Sequence, residues 1–89
     1  GEFGKYGTPP GSFMSPQGIA VDRQGNIWVA DSKNNRLQRF SSDGSLIAVV
    51  GSRGVGAGQF QEPVYIAFDE QGAVYVAEKT GRRVQKLVP

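Results

Sequence analysis

The chain has 89 residues, room for one small domain or two repeat units, and 38% of them are hydrophobic. It has no Cys and no His, which excludes disulfide stapling, thiolate chemistry and zinc sites built on those ligands. A net charge of +2 is too small to imply a nucleic-acid partner by itself, so the placement of charge matters more than its sum. The longest apolar run, Leu46–Val50, is far too short to cross a bilayer, and no charged-then-apolar leader opens the chain. No membrane partner is expected. The first residue is Gly rather than Met, and the expectation is an excised or engineered piece.

From the N-terminus, residues 1–7 resemble residues 44–51 with one residue fewer and read as a strand. Ile19, Ala20 and Val21 form a short continuous apolar run, the pattern of a strand buried on both faces. Residues 22–26, Asp-Arg-Gln-Gly-Asn, supply a turn, since Asp bonds backbone two residues on and Gly accepts a positive φ. Residues 27–30, β-branched and aromatic, form a second strand. Arg36–Phe40 reads as a third, and its interleaved polar residues place it further from the centre. Residues 41–44 turn into a fourth strand, Leu46–Val50, closed by Gly51. The Gly-rich stretch 51–58 lacks the Lys-Ser or Lys-Thr and the helix of a phosphate loop, and reads as a flexible connection. Residues 66–68, 74–77 and 83–87 then repeat the first three strands. No stretch of about ten residues keeps a 3.6 period clear of Gly and Pro, so helix does not compete.

Laying residues 11–40 over 58–87, a shift of 47, gives twelve identities in thirty positions without a gap. They include Pro16/Pro63, Ile19/Ile66, Asp22/Asp69, Gly25/Gly72, Arg36/Arg83 and Gln38/Gln85, and most of the differences are conservative. Four strands per roughly 45 residues is the size of one propeller blade.

At residues 25–40, Gly-Asn-Ile-Trp-Val-Ala-Asp-Ser-Lys-Asn-Asn-Arg-Leu-Gln-Arg-Phe, the chain resembles the signature segment of NHL repeats. Residues 11–22, Gly-x-Phe-x-x-Pro-x-Gly-Ile-Ala-Val-Asp, resemble the start of that family's blade. Two departures change the loop surface: the eponymous His position is Asn35, and the second unit has Gly81-Arg82 where Asn34-Asn35 stand. The resemblance implies an all-β fold of β-propeller blades, each of four antiparallel strands. Residues 11–51 are then the first blade, and 58–89 a second blade lacking its own fourth strand. Residues 1–7 are the outer strand that completes a blade of a neighbouring chain. Two blades cannot close a ring, which needs about four to eight, and a lone pair exposes two apolar faces and a free sheet edge. The expected partner is therefore the chain itself, as a homotrimer of six blades, with a homotetramer of eight next.

Asp31 with Arg36 and Glu78 with Arg83 stand at the two ends of the second-to-third-strand loops. An acid beside an Arg suits catalysis, but recurrence in both units favours salt bridges that fix the loops. Asp22 and Asp69 belong to turns, the alternative being a cation at a propeller axis. Trp28 and Tyr75 read as packing between blades. The resemblance also brings in propeller lyases, whose chemistry uses His; a Ser nucleophile here would likewise lack its His base. The expectation is no enzyme, no cofactor and no metal site, a lyase fragment without its active site being a further alternative. What remains is a self-assembling scaffold or a module binding RNA or protein, as the resemblance implies, through the face of those loops. That face holds Lys33, Asn34, Asn35, Arg53, Tyr65, Lys79 and Arg82, with Glu62 its one unpaired acid. The opposite turns hold Asp22, Asp43, Asp69 and Glu70 against Arg23. The basic face suits an anionic ligand, single-stranded RNA first, with Tyr65 placed to stack a base. The plain alternative is ordinary solubilising charge on loops.

Overall fold

The computed structural model describes residues 5–54 and 56–87. Near the N-terminus β1 (Lys5–Tyr6) pairs in parallel with β2 (Ser12–Phe13). Four antiparallel strands follow in simple succession: β3 (Pro16–Val21), β4 (Ile27–Asp31), β5 (Arg36–Phe40) and β6 (Leu46–Val50). A parallel pair, β7 (Ser52–Arg53) with β8 (Gln59–Phe60), leads to the second sheet. That sheet has β9 (Pro63–Phe68), β10 (Val74–Glu78) and β11 (Arg83–Leu87), again antiparallel neighbours. The only helix among the described residues is one 3₁₀ turn, Ser32–Asn34. The fold is thus all-β, in blades.

Local chemistry explains the strand boundaries. The Asp22 carboxylate accepts the backbone N–H groups of Gln24 and Asn26, at 3.0 and 2.9 Å, and Gly25 takes φ +83°. Asp69, with Gly72 at φ +86°, repeats this turn. The inner strands start earlier than the apolar runs suggest, at Pro16 and Pro63, because the first residue of a strand tolerates the missing N–H.

The core lies between the blades. Trp28, Ala30 and Leu37 of the first sheet pack against Ile66, Val74 and Val76 of the second, with Phe60 of the connection wedged among them. The Trp28 and Phe68 rings meet edge-on at 5.6 Å. Each blade has a second face that the described residues leave partly uncovered. The run 19–21 was expected to be buried on both sides, yet Ile19 and Val21 are 67% and 63% exposed. They point away from the second blade, and among the described residues no other blade lies on that side.

Arg36–Phe40 stands third in its sheet, and its Gln38 is fully buried. One further expectation changes: 51–58 is not simply a flexible connection, since its described residues carry β7 and the Gly54 N–H donates to the Phe60 carbonyl at 3.1 Å. Of the segment 1–7 assigned to an outer strand, Lys5–Tyr6 pairs within its own chain, and residues 1–4 lie outside the described residues.

Candidate functional site

The two predicted ion pairs form, and each is the hub of a larger network. Asp31 is wholly buried at the end of β4. One of its oxygens accepts the Met14 N–H at 2.7 Å. The other accepts Arg36 Nε at 2.8 Å, Asn34 Nδ2 at 2.9 Å and Gln38 Nε2 at 3.2 Å. Gln38 also donates to the Ser12 carbonyl and accepts from the Gly11 N–H. In the second blade Glu78 accepts from Gln61 N–H, Arg83 and Gln85, and Gln85 bonds Gln59 and Gly58 in the same way. These hubs tie each connection to its blade, which is structural work and leaves no open position for a substrate. The sequence reading missed Gln38 and Gln85; their identity in the repeat register, on a strand that otherwise packs, was the available signal.

Burial works against ionisation of Glu78, but the Arg83, Gln85 and Gln61 donors outweigh it and hold its carboxyl below the ordinary range. Asp22 is lowered too: burial opposes, while the Trp28 indole and the Asn26 and Gln24 N–H groups prevail. A carboxyl depressed by folding contributes stability above its unfolded pKa and loses it as pH falls through the folded value. The melting temperature is therefore expected to hold between pH 7 and 5 and to fall below about pH 4, and Glu78→Gln to flatten part of that fall. Thermal melts across this range check it.

The loop face gathers Lys33, Asn35, Arg53, Gln61, Glu62 and Thr80 around a shallow depression of about 230 Å³ between the blades. Here the picture of free charge needs correction. Glu62 is not unpaired: Lys33 Nζ lies 2.8 Å from its carboxylate and the Thr80 hydroxyl donates to it. These contacts, Lys33 first, keep its carboxyl below the ordinary value. Asn35, left-handed at φ 55°, accepts the Glu62 N–H at 2.9 Å, so this amide ties one blade to the other. Asn34 is likewise engaged, donating to Asp31 and to the Gly7 carbonyl. Arg53, Lys79, Arg82 and Tyr65 are exposed members of the set without such a tie, and Lys33 is exposed while paired with Glu62. Asp22 and Asp69 serve their turns, accepting also from Trp28 Nε1 and the Tyr75 hydroxyl, and no cluster of three metal-ligating side chains occurs among the described residues. A second cavity of about 740 Å³ opens between the blades on the side of these turns. Trp28, Arg39, Phe68 and Leu87 line it, and Arg39 lies 5.4 Å from the Trp28 ring centre.

The model of the NHL repeat matches residues 13–40, the segment running from β2 through β5. This segment is an NHL repeat. It is similar to protein lin-41 of Caenorhabditis elegans, 48% identical over 46 residues, covering 52% of this chain and 4% of that protein. Protein brain tumor of Drosophila melanogaster is 44% identical over 43 residues, 48% of this chain and 4% of that one. NHL repeat-containing protein 3 of Mus musculus is 45% identical over 40 residues, 45% and 12% respectively. The chain thus spans only a small part of the length of these relatives. The internal repeat places an equivalent hub 47 residues on, with the Arg, Gln and backbone donors retained and the Asn34 bond absent where Gly81 stands.

Proposed function

We propose that the chain is a non-catalytic binding scaffold that builds its propeller from several copies of itself. One observation supports this above others: two apolar positions that are buried where the blades meet have repeat counterparts that are bare on the outer faces. Leu37 is 0% exposed against 67% for its counterpart Val84, and Ile66 is 4% exposed against 67% for Ile19. The free face of each blade thus corresponds to the covered face of the other, so a second copy docks head to tail and gains apolar burial. Three copies make six blades, four make eight. In this reading the outer strand beside the free edge of β11 comes from a neighbouring copy, Lys5–Tyr6 being already paired with β2 of its own chain. Light scattering is expected to give three times the 9.5 kDa chain mass, and removal of residues 1–7 to weaken assembly. A folded monomer at every concentration tested overturns the reading.

Any ligand of the assembled scaffold docks on the loop face, where Arg53, Lys79 and Arg82 stand exposed and recur around the ring. An anion suits it, single-stranded RNA first, held by phosphate contacts that weaken steeply as salt rises. Titration of a labelled oligonucleotide at low and moderate salt tests this against a Lys33→Glu/Arg82→Glu variant. Equal binding by the variant, or none by the parent, leaves the scaffold without this ligand.

A further inference from the structure

The interface inside the chain shows what a second copy would have to match. Its inner end is unusually close. A Cβ at Gly18 would lie 2.7 Å from the Val64 carbonyl oxygen and 3.2 Å from the Tyr65 Cα, nearer to backbone than a real Cβ comes. The two inner strands therefore approach as they do because residue 18 is Gly. Adding 47 to that position gives Tyr65, on the free face of the second blade and 63% exposed. In a copy-to-copy contact of the same geometry, the Tyr65 Cβ would fall as close to the carbonyl of Gln17 in the second copy, the counterpart of Val64. Backbone on both sides leaves nothing to give.

The polar ties fail to carry over as well. Inside the chain, Lys33 pairs with Glu62 and Asn35 accepts the Glu62 N–H. Their counterparts on the free faces are Thr80 with Ser15, and Arg82 with Ser15. A hydroxyl pair replaces an ion pair, and a guanidinium, which only donates, replaces the accepting amide. The backbone is ready for the missing contacts: Ser15 and Arg82 hold φ of 54° and 51°, as Glu62 and Asn35 hold 55° and 55°.

We infer that the free faces receive a second copy through an interface unlike the internal one, splayed at its inner end by Tyr65 and the weaker of the two. The inference rests on the self-assembly proposed above. It makes Tyr65 a specificity-determining residue for assembly and places the first opening of the ring at the boundaries between copies.

Light scattering over a dilution series of the full chain tests it with three variants. Tyr65→Gly lets the inner strands close and is expected to lower the concentration at which the assembly dissociates by roughly tenfold. Tyr65→Ala keeps the offending Cβ and is expected to fall well short of that gain. Ser15→Glu with Thr80→Lys and Arg82→Asn grafts the internal ion pair and amide cap onto the free faces, and is expected to tighten assembly without touching Tyr65. If Tyr65→Gly and the triple variant both assemble no more tightly than the parent, or Tyr65→Ala gains as much as Tyr65→Gly, the inference falls while self-assembly stands. If parent and all variants stay monomeric, self-assembly and the inference fall together.

Discussion

Asp31→Ala is expected to unfold the first blade's connection and to lower stability by ~3–5 kcal/mol, the range for breaking a buried charged pair from one side. The carboxylate receives four donors from Met14, Asn34, Arg36 and Gln38, and it is wholly buried. Its removal leaves the largely buried Arg36 guanidinium and the buried Gln38 amide short of an acceptor, and unmade buried hydrogen bonds cost more than made ones contribute. For a domain of this size, whose whole stability is on the order of 5–15 kcal/mol, that is a large share. The melting temperature should drop by more than about 10 °C. Asp31→Glu, which copies the hub of the second blade, should restore part of the loss. Glu78→Ala should act in the same direction but less strongly, because the Arg83 side chain is 33% exposed against 12% for Arg36 and can turn to solvent. Circular dichroism melts of the three variants check the order. Equal losses at Asp31 and Glu78 would show that burial of the Arg is not what grades the effect.

Phe60→Ala is expected to cost about as much, ~3–5 kcal/mol, by a different route. Phe60 is completely buried and lies within the cluster that joins the two sheets. Truncation leaves a cavity at the junction rather than inside one blade, so both sheets lose packing together and the transition should stay cooperative. Phe13, its counterpart, is only half-buried and stacks on Phe40 at 5.7 Å, so Phe13→Ala should cost distinctly less. Denaturant midpoints for the two variants decide the matter. A Phe13 loss as large as that of Phe60 would mean that the free face of the first blade is already covered in solution, as assembly would have it.

The sequence determined the parts of this protein that depend on local chemistry and on its internal repeat. A shift of 47 residues makes the register visible. Asp-x-Gln-Gly marks each inner turn because Asp and Gly are what such a turn needs, and the repeated Asp31–Arg36 and Glu78–Arg83 spacing foretells two ion pairs. The tertiary structure decided what depends on which groups meet across the blades. Gln38 looks like a surface residue on a partly polar strand, and only the approach of the connection at Ser12 turns it into a buried link. Glu62 and Lys33 are 29 residues apart, and no local pattern pairs them. Ile19 and Ile66 are the same residue in the same motif, yet one is bare and the other buried. Periodicity tells which way a side chain points, but burial is set by what stands opposite, and for Ile19 the described residues supply nothing there.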